Sequence, residues 1–464
     1  MDTLTTASAT SLARAIRDKQ VSSEEVVSAY LARIAAINPK LNAVVQLRAE
    51  GALEEARQAD AALARGEMRG PLHGVPFTVK DTYDVAGMIC TCGTQGRAAN
   101  IARDDATAVA RLRAAGGIVL GLTNLPELCL AAESDNLIYG RTNNPYDLER
   151  TPGGSSGGEA ANIAAGGSPL GLGTDSGGSL RIPAHFCGIA ALKPTWGRVP
   201  LTGLFPPPVG TPGRIRHAGP LARRVEDLAL ALPLLAGVDW RDPGVVPMPP
   251  GDHQAVQLKG LRLAFYTEDG LAPPTPETAQ TVQTAAQTLA EAGLVVEERR
   301  PPGIEQSLEF FLSVGGADGA VGLQRLLQAS GTTEISPLLQ KMLMAAGSRA
   351  MTLPDFGAFL ARWDVWKGAM LTFMENYDVL LAPVVAQPAP QHGTTFLPDV
   401  FIGFGYAATH NVTGWPAVAV RCGTSPEGLP IGVQVAARPW REDVALAVAQ
   451  HLETALGGWQ PPGL

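Results

Sequence analysis

Apolar positions recur along this chain with two different periods, and the changes of period mark its elements. Residues 8 to 65 carry helical spacing. In "SSEEVVSAYLARIAAI", Ser22 and Glu25 stand at capping-box separation, and Val26, Tyr30, Leu31 and Ile34 share one face. "HGVPFTVKD" is a short apolar run entered through Gly74 and Pro76, which predicts a buried strand. "DATAVARLRAAG" predicts a helix ending at Gly116, and "GIVLGLTN" a returning strand. Farther on, "SPLGLGTD" reads as a strand between the helix "EAANIAAG" and a short Pro-started turn, "IPAHFCG". Residues 204 to 213 and 243 to 251 are rich in Pro and Gly and predict surface crossings.

The second half repeats the alternation. "LRLAFYTED", "ETAQTVQTAAQTLAEAG" and "LVVEERR" predict strand, helix and strand, and residues 305 to 378 are mainly helical. "PAVAVRCG" and "IGVQVAAR" read as strands before a closing helix, "DVALAVAQHLETALG". Such alternation predicts an α/β architecture, a sheet with helices packed on its faces. The expected organisation is one domain over residues 1–464. It has N-terminal helices over 1–65, a core over 66–240 and a helical portion over 305–378.

Composition narrows the class. Of 464 residues, 45% are hydrophobic and 17% charged, which favours a well-buried globular protein. A formal net charge of −8 gives no support for a nucleic-acid surface. No apolar run approaches the ~18 residues of a membrane span. The five cysteines are Cys90, Cys92, Cys129, Cys187 and Cys422, an odd and small number. With a start, "MDTLTTASAT", that lacks a basic patch and apolar core, they favour a reducing cytoplasm. Cys90 and Cys92 have the wrong spacing for a CxxC pair, and no second cluster completes a zinc site, so no metal is expected.

The glycine-rich knots in "TPGGSSGGEAANIAAGGSPLGLGTDSGGSLRIPA" then demand an explanation. A flexible linker would be glycine-rich too, but ordered apolar residues are woven between these knots. Gly153, Ser155 and Gly157 satisfy G-x-S-x-G, yet "NPYDLERTP" before them is not the buried strand an esterase elbow needs. His392, His410 and His451 sit in no motif that commits them as partners. A phosphate cradle fails because neither knot contains G-K-[S/T].

A third reading uses a distant lysine. A hydroxyl attacking an amide must lose its proton, and a neutral amine accepts it as well as imidazole does. Lys80 ends the apolar run "GVPFTV", where desolvation would hold it neutral. Asp81 should point to the opposite face of an extended strand. Consecutive N–H groups in "Ser176-Gly177-Gly178-Ser179" offer an oxyanion site before a hydroxyl. The bland alternative for each serine is a turn residue bonded to nearby backbone.

Together, "GVPFTVKD", "PGGSSGGEAANIAAG" and "GTDSGGSLRIPAHFCGIAALKPTWGRV" resemble the amidase signature family of hydrolases. The similarity extends through "GTQGRAANIARDDATAVARLRAAGGIVLGLTNLPEL" and returns in "NVTGWPAVAVRCGTSPEGLPIGVQVAARPWRED". The resemblance implies a single domain with a central mixed, twisted sheet covered by helices on both faces. It implies a Ser–cis-Ser–Lys triad: Ser179 as nucleophile, Ser155 as the bridging serine after a non-proline cis bond, and Lys80 as general base. The N–H groups of Ser176, Gly177, Gly178 and Ser179 would form the oxyanion hole, with no cofactor.

Asp175 and Arg181 flank the nucleophile and read as a neutralising pair that fixes the loop. Ser156 is expected to order the turn, Lys193 to be structural, and His185 to make a packing or local hydrogen-bond contact. The acyl side of the pocket is expected near "LPELCLAA", at Cys129 and Leu130, and within residues 305 to 400. The expected partner is a small amide alone, with no nucleic acid, membrane or obligatory subunit, in a monomer or homodimer. Two alternatives stay open. One is the glutaminase subunit of the tRNA-dependent amidotransferase, although Ile182 stands where that subunit commonly has glutamine. The other is a hydrolase of nylon-type cyclic or linear oligomers.

Overall fold

Strand order explains where the glycine knots come to lie. The computed structural model describes residues 3–464. Among them, eleven strands form one sheet: β1 (Val44–Leu47), β2 (Pro76–Lys80), β3 (Ile118–Thr123), β4 (Leu170–Asp175), β5 (Ala190–Lys193), β6 (His217–Ala222), β7 (Arg262–Phe265), β8 (Val295–Glu298), β9 (Val379–Pro383), β10 (Ala417–Thr424) and β11 (Pro430–Ala437). They run in the order β1-β3-β2-β4-β6-β5-β10-β11-β9-β7-β8. The sheet is mixed. β3, β2 and β4 are mutually parallel, as are β9, β7 and β8, while the strands between them pair antiparallel.

Period-two alternation assigns the faces. Val418, Val420, Val433 and Val435 point into a core with Leu228, Val282, Val444 and Val448 from the helices Val225–Leu235, Pro276–Glu291 and Glu442–Leu456. On the other face, Ala419 meets Ala160, Ile182 and Phe186, and Ala417 and Ala436 meet Trp363 and Met370 of the helix Leu353–Met374. The result is a single domain with helices on both sides of the sheet.

The capping box at Ser22 and Glu25 forms as the sequence predicts. Residues 8 to 65 are not wholly helical, however. β1 interrupts them, pairing antiparallel with β3 through Val44, Gln46 and Leu47, with a shift of register at Val45. β5, β6 and β9 are also strands that the hydrophobic pattern does not announce. In β6, Gly219 and Pro220 resemble turn residues, yet Pro220 stands opposite Leu172 in mid-sheet. The helical expectation for 305 to 378 agrees with helices between Ser307 and Met374.

β2 and β4 lie side by side with Thr78 opposite Gly171 and Val79 opposite Leu172. Their carboxyl ends, Lys80 and Asp175, therefore open at the same edge of the sheet. Crevices at that edge are where parallel α/β sheets bind ligands.

Candidate active site

Lys80 is fully buried, with 0% exposure, at the last position of β2. Its Nζ donates to three hydroxyls: Ser155 Oγ at 2.6 Å, Thr174 Oγ1 at 3.0 Å and Ser156 Oγ at 3.1 Å. It has no carboxylate partner among the described residues. Asp81 faces away, as the alternation of a strand requires, and its carboxylate accepts from the N–H and hydroxyl of Thr91. Burial pushes the Lys80 amine below its ordinary range, and the positive charge of Arg216 pushes the same way, while Cys129, Cys92 and Asp175 oppose them. Arranged so, the amine is held toward its neutral form and can take a proton from a hydroxyl.

Ser155 and Ser156 occupy the turn that starts the helix Gly157–Ala164. The peptide bond Gly154–Ser155 is cis, as the resemblance implied. Gly154 packs so tightly that an added Cβ would stand 2.5 Å from the carbonyl oxygen of Ala131. Ser156 does more than was expected of it. It bonds the Thr174 carbonyl at 3.3 Å and also accepts from Lys80.

Solvent reaches this region at few points. Between Thr151 and Thr195 every residue is buried except Ser176, Gly177 and Ser179. The N–H groups of these three find no acceptor among the described residues. Gly178 departs from expectation, because its N–H donates to Asp175 Oδ1 at 2.7 Å. The carboxylate lies three residues back and captures that N–H, so three donors face outward and not four. Phe311 covers Gly177, where an added Cβ would stand 2.5 Å from the ring.

Below the loop lies a paired set of charges. Arg181 meets both carboxylate oxygens of Asp175 at 3.1 Å, and both side chains have 0% exposure. Two more of its donors go to Gln434 Oε1 and Asn411 Oδ1, each at 2.7 Å, and Asn411 returns a bond of 2.8 Å to Asp175. Burial alone would raise the Asp175 carboxyl, but Arg181 holds it well below the usual range. Asp175 and Arg181 thus pair as the sequence suggests. Gln434 and Asn411 were not foreseen.

The other expectations can be located. Lys193 Nζ donates to the Pro194 carbonyl at 3.0 Å. His185 takes the N–H of Gly432 on Nδ1 at 2.8 Å, and burial pushes its pKa down to about 4. No hydrogen bond joins a histidine to Ser155 or Ser179 among the described residues, and no strand lies between β3 and the helix Gly157–Ala164 to lead into Gly153. Cys129 and Leu130 are half-buried beside Leu125, Leu128, Leu327, Leu339 and Phe205. Cys129 Sγ lies 3.5 Å from Thr82 Oγ1, although neither residue bonds Ser155 or Ser179. Among the described residues, no group of three or more His, Cys, Asp or Glu is placed to hold a metal ion. A cavity of about 850 Å³ lies elsewhere, lined by Trp196, Leu204, Pro208, Arg214 and Trp363, and it includes none of Lys80, Ser155 and Ser179. The site is therefore assigned from its chemistry.

Two further residues escaped the sequence. Thr174 looks like any β-branched strand residue until the register brings it to Lys80. Glu159 is fully buried and accepts from Thr78 and Thr123, and burial pushes its carboxyl up to about 8.

Among the described residues no helix is long and apolar enough to cross a membrane. The family model Amidase matches residues 25–446. The chain is 34% identical to fatty-acid amide hydrolase 2 of Homo sapiens, covering 97% of this chain and 89% of that protein. It is 35% identical to a glutamyl-tRNA(Gln) amidotransferase subunit from Moorella thermoacetica, covering 94% of this chain and 93% of that protein. The structure of a 6-aminohexanoate cyclic dimer hydrolase complexed with substrate superposes with a TM-score of 0.89 at 29% identity, covering 100% of this chain and 99% of that one. The chain belongs to the amidase family, and it is an enzyme that hydrolyses amides.

Proposed function

We propose that this amidase works through an acyl-enzyme, with Ser179 as nucleophile, Ser155 as proton relay and Lys80 as general base. The observation that carries the reading is a buried amine with no carboxylate, 2.6 Å from a serine hydroxyl, beside a half-exposed serine loop. As Ser179 attacks the amide carbonyl, its proton passes by way of Ser155 to Lys80. The N–H groups of Ser176, Gly177 and Ser179 receive the oxyanion, each donor supporting about 3 kcal/mol of transition-state stabilisation. The proton then returns to the leaving amine, and water enters by the same relay to release the acid.

The acyl group this site takes is apolar and uncharged. Leu128, Leu130, Phe205, Leu327 and Leu343 cluster beside Cys129, and Phe311 covers the nucleophile loop. The enzyme acts as a single chain, without an ammonia-accepting partner, in keeping with Ile182 at the position where the amidotransferase subunit commonly has glutamine. A recombinant single chain assayed on amides of graded acyl length tests this. It should hydrolyse apolar amides in preference to glutamine, and a fluorophosphonate should label Ser179. Glutaminase activity that depends on a second protein would overturn the reading.

A further inference from the structure

Two cysteines meet beside Lys80 in an arrangement that amide hydrolysis does not use. Cys92 Sγ and Cys129 Sγ lie 3.8 Å apart. Cys92 is fully buried, whereas Cys129 keeps part of its surface open. Both residues hold left-handed backbone, with φ of 49° and 64°, as does Leu128 at 55°. L-residues with a side chain rarely adopt that conformation, so the surrounding structure imposes the placement of both residues.

The charge around the pair is unusual as well. Arg216 is 8% exposed and has no carboxylate partner among the described residues. Its guanidinium donates to the carbonyls of Phe205 and Pro206 and, at 3.1 Å, to Thr82 Oγ1. The same Thr82 hydroxyl touches Cys129 Sγ, and Cys92 Sγ donates to the Phe205 carbonyl at 3.2 Å. A buried cation without an anion is costly, and a thiolate at Cys129 would supply one. Burial works to raise the Cys129 thiol, while its hydrogen bonds with Cys92 and Thr82 and the charge of Arg216 work to lower it. Burial pushes the thiols of Cys90, Cys187 and Cys422 up.

We propose that Cys129 is a peroxide-reactive modification site and that Cys92 resolves it as a disulfide. The Cys129 thiolate attacks one peroxide oxygen. An S–O bond forms, the O–O bond breaks and hydroxide leaves, so sulfur loses two electrons and peroxide gains them. Cys92 then attacks the sulfenic sulfur, forming S–S and breaking S–O, and its proton leaves with the hydroxyl as water. With the proton first released by Cys129, the sum is two thiols and one peroxide giving one disulfide and two waters. At 3.8 Å the two sulfurs are already in contact, and forming the bond closes that gap to the ~2.05 Å of a disulfide.

The test reads covalent state, so it stands apart from the amide mechanism. The full chain is exposed to limiting hydrogen peroxide, quenched with N-ethylmaleimide and mapped by peptide mass spectrometry. A linked pair of peptides carrying Cys92 and Cys129, reversed by dithiothreitol, should appear while Cys187 and Cys422 stay reduced. In Cys92→Ser the same treatment should leave Cys129 as a sulfenic acid captured by dimedone. Arg216→Gln should slow oxidation of Cys129 about tenfold, the effect of one pH unit in thiolate fraction, and Arg216→Lys should restore it. Oxidation of Cys129 no faster than of buried Cys422 in the unaltered chain would overturn the proposal.

Discussion

Lys80 and Arg181 carry the same kind of cation into the same dry interior, at opposite ends of the serine loop, and the fold treats them oppositely. Arg181 receives a carboxylate at 3.1 Å and two amide oxygens at 2.7 Å, so its donors are engaged and it fixes the loop. Lys80 receives three hydroxyls and no anion, so burial drives it toward the neutral amine. The cost of burying a cation is met by pairing in one place and by loss of the proton in the other. Pairing gives rigidity, and an unpaired amine gives a base. Guanidinium suits the first task because it does not deprotonate in proteins, and ammonium the second because it does so readily.

The two ends should fail differently when altered. The largest effect is expected at the serine between them: Ser179→Ala should lower kcat on the order of 10⁶-fold, leaving the melting temperature close to that of the parent. Lys80→Met should follow with a loss of about 10²–10⁴ in kcat, measured on the best amide of the panel. Replacing a buried, neutral amine should not destabilise the fold by the loss of an ion pair, and thermal denaturation checks this. At the paired end the pattern reverses. Asp175→Asn leaves Arg181 buried without its anion and should cost about 3–5 kcal/mol in denaturant unfolding. It should also loosen the Gly178 and Leu180 N–H groups that Asp175 holds at 2.7 and 3.1 Å.

The smallest effect concerns Glu159, which lies between the two regimes as a buried acid held by the hydroxyls of Thr78 and Thr123. Burial raises its carboxyl to about 8, above the unfolded value of 4.5. Below pH 4.5 both states hold the proton and the contribution is fully present. Between 4.5 and about 8 the unfolded chain gives the proton up first, so stability falls as pH rises. Glu159→Gln should flatten that part of the stability profile, read from urea titrations at a series of pH values.

Much of this contrast was legible in the sequence. The glycine knots and the apolar run before Lys80 singled out Lys80 and Ser155, which the fold brings to 2.6 Å, because glycine spacing and an isolated lysine are local signals. Asp81 could be turned away by strand alternation alone. The hydroxyl of Thr174 was not legible, since its meeting with Lys80 depends on register between β2 and β4. The engagement of Gly178 by Asp175 was equally hidden, because a loop of glycines does not say which N–H groups its own carboxylate will take. The strands β1, β5, β6 and β9 escaped for a related reason: they are short, and β6 contains Gly219 and Pro220, so their pairing is decided by neighbours far away in the chain.

The protonation state of Lys80 is the most direct measurement. With only seven lysines in the chain, lysine labelled with ¹³C at the ε position can be followed by NMR across pH and assigned by Lys80→Met. Lys80 should titrate below its ordinary value of 10.5, and kcat/KM should rise with pH along the same curve as the amine loses its proton. A Lys80 resonance that stays in the ammonium form across the whole pH range of activity would contradict this.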